Sequence, residues 1–346
     1  MTRKRTAAVA AVAAALMTAL AACSSTTVVP ASPAGGSASP GTTTAASSGY
    51  PVSVENCGRT LTFKSAPKRV VTMWQAPTEM LLALGLENHI KAMSGNYAPF
   101  PASVAAAAKR VPSIGTSMAW PSKETVLSEA PDLVVAQSIV GYSFDTSYGY
   151  ASVQQLEQAG AQVYGANICD AVHGGALKMN LSTPIQTLRD FGKIFDVSGR
   201  ADQLIAQLNA EKQKVVTAVK GQPSVKVAFY NGGTGPLIVL AGGIYDAEIT
   251  TAGGKDVFPA NSVYVSKEAF AASGADVILV GTFTGQNFAT LRSYLVKTFP
   301  TLPAVKNGRI VQIPVDDTDA SITVMRGLTE IANALHPDLK IPVPAA

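Results

Sequence analysis

Residues 122–135 read SKETVLSEAPDLVV, and residues 266–279 read SKEAFAASGADVIL. The two stretches share one spacing, because Glu268 lies 144 residues after Glu124 and Asp276 lies 144 residues after Asp132. Each predicts a short helix with a serine cap and a glutamate in its first turn, followed by a turn and a buried strand. One helix–strand unit is therefore used twice, once in each half of the chain.

Aliphatic runs and helical patterns alternate on both sides of each copy. Strands are predicted at 69–74, 133–137 and 162–164 in the first half, and at 225–230, 277–280 and 309–313 in the second. Helical patterns lie between them, at 78–84, 152–159 and 328–335. Continuous aliphatic strands separated by helices are typical of parallel sheets that are covered on both faces. The sequence therefore predicts an α/β fold.

The segment 182–220 separates the two halves and carries no strand pattern. It places apolar residues at helical spacing, at Leu204, Leu208, Val215 and Val219. We predict one long helix here, or two helices broken near Ser198. The repeat on either side favours a connector between two lobes over a surface helix of one larger domain.

The first residues have the layout of an export signal. A positive start, Arg3-Lys4-Arg5, is followed by an apolar run over residues 6–20 that is too short for a permanent membrane anchor. The run ends in Leu-Ala-Ala-Cys at 20–23, which resembles the lipobox of bacterial lipoproteins. We expect residues 1–22 to be a signal peptide and Cys23 to carry lipid. The alternative is a plain signal peptide cleaved near Ala22.

Residues 24–49 contain no charged and no aromatic residue, so they cannot bury enough apolar surface to offset their ordering entropy. We predict that 23–50 is a lipidated, flexible tether. It would hold the folded body at the outer face of the cytoplasmic membrane, in the cell envelope.

Composition argues against several classes of function. The chain has 346 residues, 47% hydrophobic and 14% charged, which is ample for folded cores. Three of its 27 basic residues lie in the signal, which leaves 24 against 23 acidic residues and no polybasic face for nucleic acid. Three histidines and three cysteines leave little for a zinc site or a histidine-centred enzyme.

Export also bears on the remaining cysteines. Cys57 and Cys169 are an even pair in an oxidising compartment, so we expect them to form a disulfide. The alternative is a metal pair formed by Cys169 and His173, which lacks the third and fourth ligands that zinc normally takes.

A family resemblance rests on five segments in order: PVSVENCGRTLTF at 51–63, PKRVV at 67–71, PTEMLLALGL at 77–86, EAPDLVV at 129–135 and AGGKDVF at 252–258. Together they resemble the iron-siderophore, haem and cobalamin class (class III) of substrate-binding lipoproteins of bacterial ABC importers. The resemblance covers about residues 51–338. It implies two Rossmann-like lobes with parallel central sheets, at 51–181 and 222–346, joined by one long connector helix at 182–221. It also implies a ligand cleft between the lobes.

The resemblance assigns a docking role to Glu124 and Glu268. In that family a glutamate on each lobe enters an arginine pocket of the membrane permease, and these two match by position. Carboxylates on the two lobes could engage a two-fold permease dimer through charge-assisted hydrogen bonds. Alternatively, each glutamate only stabilises the N-terminus of its helix.

Family clefts are lined by aromatic residues and an arginine or two, which suit the apolar rim and oxygen charge of a ferric chelate. The candidates by position are Trp74, Tyr97, Trp120 and Tyr142 in the first lobe, and Tyr230, Tyr245 and Arg326 in the second. Arg326 could instead pair with Glu330 four residues along. Trp74 and Trp120 could instead pack in the core. The first lobe lacks an arginine near its cleft, which disfavours a strongly anionic catecholate.

Two segments leave alternatives open. The tyrosine-rich loop 142–150 could stack on a flat ligand or pack on its own side chains. Asp316, Asp317 and Asp319 could bind a cation, or could cap a helix and line a solvated loop.

Enzyme motifs are missing from the sequence. Residues 115–119, GTSMA, do not form a Gly-x-Ser-x-Gly elbow, and 231–235, NGGTG, is followed by no lysine of a phosphate loop. We therefore predict a monomeric, membrane-tethered receptor that captures a ferric siderophore or a similar metal chelate and delivers it to an ABC permease. The alternatives are a haem or cobalamin receptor of the same fold, or an orphan surface receptor that binds a protein.

Overall fold

Two four-stranded parallel sheets, each covered by helices, make up the folded body. The computed structural model describes residues 49–116, 119–169 and 178–345. The predicted signal peptide, Cys23 and nearly all of the tether lie outside the described residues, as does His173. No described helix is both long enough and apolar enough to cross a membrane.

The first sheet has the strand order β4-β3-β5-β6, and a hairpin, β1-β2, precedes it. All neighbours within the sheet are parallel. The bounds are β1 Val52–Asn56, β2 Arg59–Phe63, β3 Val70–Thr72, β4 Ile90–Met93, β5 Leu133–Ser138 and β6 Gln162–Ile168.

The second sheet has the strand order β9-β7-β11-β12, again all parallel, and a short antiparallel pair, β8-β10, lies beside it. The bounds are β7 Val225–Tyr230, β8 Leu237–Ile238, β9 Gly254–Asp256, β10 Tyr264–Val265, β11 Val277–Thr282 and β12 Ile310–Pro314. Matched strand for strand, the two sheets have the same topology. The prediction of a unit used twice and of an α/β fold with two lobes is confirmed.

Eleven α-helices cover these sheets in the described residues. Their bounds are α1 Gln75–Ala83, α2 Ala102–Ala108, α3 Lys123–Ser128, α4 Val153–Gln158, α5 Thr183–Ile194, α6 Ser198–Val219, α7 Gly243–Thr251, α8 Lys267–Ala271, α9 Phe288–Thr298, α10 Pro303–Lys306 and α11 Val324–Leu335.

The repeated serines cap the repeated helices. The Oγ of Ser122 accepts a hydrogen bond from the backbone N–H of Thr125 at 3.2 Å, at the start of α3. The Oγ of Ser266 accepts one from the N–H of Ala269 at 3.1 Å, at the start of α8. Each cap satisfies one of the N–H groups that a helix leaves open at its beginning.

The repeated aspartates hold the neighbouring strand in place. The carboxylate of Asp132 accepts from the backbone N–H groups of Lys68 and Arg69, both at 2.9 Å, just before β3. The carboxylate of Asp276 accepts from the N–H of Lys226 at 3.1 Å, in β7. The aspartate in each copy therefore fixes how the repeated strand pairs with the strand beside it.

Side chains alternate between the two faces of each sheet. In β7, Val227 and Phe229 pack toward α7 and α11, whereas Ala228 and Tyr230 pack toward α8 and α9. All four are fully buried. Burial on both faces explains why the strands read as continuous aliphatic runs.

The connector consists of two helices, α5 and α6, separated at 195–197. This matches the second of the two predicted forms. It corrects the single connector helix over 182–221 that the resemblance implies, because α5 packs on β1 and β6 of the first lobe. Helix α6 has 22 residues and buries Ile205, Leu208 and Val215 in a core cluster that includes residues of both lobes. Because one apolar cluster continues through the connector, a wide separation of the lobes would expose buried surface.

The β1-β2 hairpin packs on the outer edge of the first sheet. The side chain of Asn56 bonds both backbone groups of Gly165 in β6, at 2.8 and 2.9 Å. Cys57, at the hairpin turn, forms a disulfide with Cys169. The predicted pairing is therefore present, and the thiol of Cys169 is not available to a metal.

Candidate functional site

The carboxyl ends of the parallel strands in the two lobes face one another. Trp74 follows β3, Tyr97 follows β4 and Gln137 lies near the end of β5, while Phe283 and Asp319 follow β11 and β12. In open α/β sheets, ligands bind beyond the carboxyl ends of the strands. The space between these two edges is therefore the candidate site.

Asp319 joins the two lobes by hydrogen bonds. Its Oδ2 accepts from the indole N–H of Trp74 at 2.8 Å and from the hydroxyl of Tyr97 at 2.6 Å. Its Oδ1 accepts from Nε2 of Gln137 at 3.2 Å and from the backbone N–H of Ala320 at 2.8 Å. One buried carboxylate of the second lobe thus takes three side-chain hydrogen bonds from the first.

An aromatic wall runs along the first-lobe side of the cleft. The ring of Trp74 lies 5.9 Å from that of Trp120, nearly parallel, and 4.9 Å from that of Tyr97. Tyr97 meets Phe283 of the second lobe edge to face at 6.0 Å. Trp74, Tyr97 and Trp120 are only partly buried, and Phe283 is exposed. We call these four side chains the aromatic wall.

Helix α1 supports the wall from beneath. The Oε1 of Gln75 accepts from the backbone N–H groups of Tyr97 and Ala98, both at 2.9 Å, and its Nε2 donates to Glu79 at 2.9 Å. Glu79 is buried, and burial together with the charge of Asp319 raises its pKa to about 8. Glu79 is therefore largely protonated at neutral pH.

Helix α7 contributes a second buried acid, Glu248. It is fully buried, and within the described part of the chain neither of its carboxylate oxygens has a hydrogen-bond partner. Burial, followed by the charges of Asp319 and Asp317, raises its pKa well above the ordinary value. The same two effects, burial and Asp319, raise the pKa of Tyr245. The ring of Tyr245 meets that of Phe229 edge to face at 5.7 Å, packed against the core of the second lobe.

Arg326 is engaged by carboxylates of its own lobe. Its Nε donates to Asp317 at 3.1 Å and to Glu330 at 3.2 Å. Burial and the charge of Glu330 raise the pKa of Asp317 to about 7, although Arg326 acts in the opposite direction. The alternative that the sequence offers for Arg326, a pair with Glu330 four residues along, is therefore present.

The other predicted cleft residues are not brought to the wall. Tyr230 is fully buried, donates to the carbonyl of Gly233 at 2.8 Å and packs against Phe270 and Tyr294 in the core. Burial raises its pKa to about 12. The side chain of Tyr142 lies outside the described part of the structure.

The aspartate loop also differs from both of its interpretations. Asp317 and Asp319 are buried, so the loop is not solvated. Among the described residues, no group of three or more acidic, histidine or cysteine side chains could hold a metal ion. The sequence indicates Asp319 only as one member of this acidic run, and the predicted site residues do not include Gln75, Glu79, Gln137, Glu248 or Phe283. The position of Gln137 at a strand end is the signal that could have identified it.

The two docking candidates, Glu124 and Glu268, are fully exposed and lie in the first turns of α3 and α8. Hydrogen bonds from each glutamate's own backbone N–H and then from the capping serine lower both pKa values. Both carboxylates are therefore ionised at neutral pH. The Nζ atom of Lys123 lies 3.8 Å from Oε1 of Glu124.

Replacing Asp319 with alanine tests its role between the lobes. We expect the free energy of unfolding to fall by about 3 kcal/mol, because three side-chain hydrogen bonds from the first lobe to one buried acceptor are lost. Urea unfolding measures the change. Asp316→Ala is the control, because it removes another acid that raises the pKa of Glu79 without removing a side-chain hydrogen bond between described residues of the two lobes. Equal effects of the two variants would contradict this role.

Known proteins resemble this chain in sequence. The sequence profile of the periplasmic binding protein family matches residues 70–316. An uncharacterized ABC transporter substrate-binding lipoprotein, YvrC of Bacillus subtilis, is 26% identical over 173 residues, which are 49% of this chain and 48% of YvrC. The chain thus spans about half the length of the curated relative that it matches.

Solved structures share the fold. A periplasmic binding protein from Veillonella parvula superposes with a TM-score of 0.72 at 20% identity, over 83% of this chain and 97% of that one. A protein of an ABC-type Fe3+-hydroxamate transport system from Saccharomonospora viridis gives a TM-score of 0.68 at 22% identity, over 83% and 99%.

Proposed function

The chain belongs to the periplasmic binding protein family, and on that premise we propose that it captures a ferric siderophore or a similar metal chelate outside the cytoplasm and delivers it to the permease of an ABC importer. The family is one of binding proteins rather than enzymes, so no chemistry is done on the ligand.

The aromatic wall carries this proposal. Three partly buried rings of the first lobe contact one another in series at the carboxyl ends of its strands, and one of them, Tyr97, meets Phe283 of the second lobe. Aromatic rings supply a large apolar contact area at low entropic cost, which suits the hydrocarbon rim of a metal chelate. A relative of this fold belongs to an Fe3+-hydroxamate transport system.

The charges around the cleft favour one class of chelate. The acidic side chain of Asp319 bonds Trp74 and Tyr97 of the aromatic wall, and the Nε of Arg326 already donates to Asp317 and Glu330. A strongly anionic ferric catecholate would meet like charge here, whereas a neutral or cationic ferric hydroxamate would not. Ferric hydroxamates are therefore the ligands that we expect to bind best.

Delivery requires the protein to stay near the membrane and to dock. A lipid on Cys23 and the tether that follows it would keep the body within reach of a permease. The related YvrC is itself described as a lipoprotein. Glu124 and Glu268, ionised and exposed on the two lobes, would enter arginine pockets of the two permease subunits.

Tryptophan fluorescence of the unit from residue 48 onward tests ligand capture. The panel comprises ferric hydroxamates, ferric catecholates, haem and cobalamin, with the metal-free chelators as controls. We expect saturable quenching by a ferric hydroxamate at sub-micromolar concentration, and a smaller amplitude in Trp74→Phe and in Trp120→Phe. Absence of binding across the panel, in fluorescence and in calorimetry alike, would overturn the proposal.

A further inference from the structure

The three most exposed large apolar side chains of the described residues lie on segments that adjoin the two docking glutamates. Tyr264 is 65% exposed, Tyr148 is 59% exposed and Val263 is 55% exposed. The next in order, Val343, is 43% exposed. Exposed apolar side chains grouped in this way mark interaction surfaces, whereas single ones are ordinary.

In the first lobe, Tyr148 is fixed beside Glu124 by a backbone contact. The carbonyl of Gly149 accepts from the N–H of Lys123 at 2.9 Å, so the residues that follow Tyr148 and precede Glu124 are bonded to each other. The turn itself is closed by the Asp145 carboxylate, which accepts from the N–H of Ser147 at 2.8 Å. The Tyr148 ring stacks on that of Tyr150 at 6.2 Å.

In the second lobe, Val263 and Tyr264 lead directly into the cap of α8. The carbonyl of Val263 accepts from the N–H of Val239 at 3.0 Å, and Tyr264 pairs with Ile238 in the β8-β10 ladder. The exposed side chains are therefore held by a strand pair four residues before Glu268. A side chain presented on a fixed backbone loses less entropy when it binds.

The repeat does not account for this arrangement. Tyr148 lies 24 residues after Glu124, whereas Tyr264 lies four residues before Glu268. A 3₁₀ turn carries the first tyrosine and a strand carries the second. The two lobes thus reach the same surface chemistry from different elements, as expected for a shared partner rather than for shared ancestry alone.

We propose that Glu124 with Tyr148, and Glu268 with Val263 and Tyr264, form two mixed carboxylate–aromatic patches that bind one two-fold partner in the membrane. The partner presents an arginine and a shallow apolar pocket to each patch. This rests on the proposed docking role of the glutamates and adds the apolar half of the interface.

Each patch needs both its carboxylate and its apolar side chains to bind the partner. An exposed ion pair alone contributes little, because water and salt screen it. A tyrosine that enters a pocket supplies contact area and excludes water from the neighbouring pair, which strengthens it. Because both carboxylates are ionised in the free protein, the complementary partner is cationic.

Site-specific photo-crosslinking in the bacterium that makes this protein tests the patches. The full chain carries a photoreactive phenylalanine analogue in one lobe, and the substitution is made in the other. Tyr148→Ala is combined with the probe at Ala269, and Tyr264→Ala with the probe at Ser128, both of which are exposed positions. Val216→Ala, an exposed apolar residue of α6, is the matched control.

We expect each tyrosine-to-alanine change to lower the yield of crosslinked permease about five- to thirty-fold, and Tyr148→Phe and Tyr264→Phe to restore it. Val216→Ala should leave the yield unchanged. A full yield in both alanine variants, with a yield abolished by Glu124→Arg and Glu268→Arg, would overturn the aromatic patches alone. A yield unaffected by all of these changes would overturn the docking role of this face.

Discussion

Reversing both docking glutamates, Glu124→Arg with Glu268→Arg, is expected to reduce import to background while ligand affinity stays within about twofold. Truncating one partner of a buried interfacial charge pair costs about 2–5 kcal/mol, and reversal adds repulsion from the partner's arginine. Two such losses reduce association by at least about a thousandfold. The cleft is built from other residues, so capture of the chelate should not change.

Cells that carry the variant as their sole copy, supplied with the radiolabelled ferric chelate identified by fluorescence, give the measurement. Asp202→Arg with Asp338→Arg is the matched control, because it changes net charge equally at two exposed acids, on α6 and after α11. Urea unfolding shows whether loss of the first-turn glutamates weakens α3 and α8, an effect of about 0.3–1 kcal/mol each. Import equal to that of the control would contradict delivery through these glutamates.

The parts of the fold that the sequence predicts are those with local causes. The serine caps and the glutamate in the first turn act within one helix turn, and the structure has them in both lobes. The repeated aspartates are present in both lobes as well, but the backbone N–H groups that they bond lie on another strand, far away in the sequence. Strand positions follow equally, because burial on both faces leaves a continuous apolar run in the chain. The ends of a predicted strand differ from the observed ends by one or two residues where pairing with a neighbouring strand decides the end, as in β3.

The cleft is predicted less completely because its contacts are distant in sequence. The strand ends and the family resemblance predict Trp74 and Tyr97 as site residues. The residue that accepts hydrogen bonds from both, Asp319, lies 245 and 222 residues further along the chain. Nothing near Asp319 in the sequence distinguishes it from Asp316 and Asp317. Its role depends on how the two sheet edges face each other, and that geometry is set by the core shared through α6.

Contacts between residues that are distant in the sequence also cause the raised pKa values of buried acids in the second lobe. Glu248 lies on an ordinary helical pattern, and only the tertiary structure places it, fully buried, near Asp317 and Asp319. The helix pattern alone gives no sign of this. Conversely, Tyr230 is placed correctly at the end of a strand but packs on the face that is turned toward α8 and α9. Strand position gives the edge of the sheet, whereas the alternation of side chains decides which face a residue joins.

Removing the disulfide is expected to have the largest effect on stability. Cys57 and Cys169 are 112 residues apart, and closing a loop of that length stabilises a fold by about 4–5 kcal/mol in the chain-entropy description. Cys57→Ser with Cys169→Ser should therefore lower the urea midpoint strongly. The m-value should change little if both forms unfold in one step. Fully reduced wild-type protein is the control and should match the variant within about 1 kcal/mol.

The contacts of the β1-β2 hairpin decide whether this loss of stability arises in the unfolded chain or in the native protein. Asn56 bonds Gly165 twice, and Arg59 donates to the carbonyl of Val163 at 2.6 Å and to Glu157 at 2.6 Å, so the hairpin is attached to β6 without the disulfide. If these bonds hold the hairpin in the native state, the whole stabilisation acts through the unfolded chain and the fold remains intact. A loss below about 1 kcal/mol would instead mean that the hairpin detaches on its own. The rest of the lobe would then not depend on the disulfide.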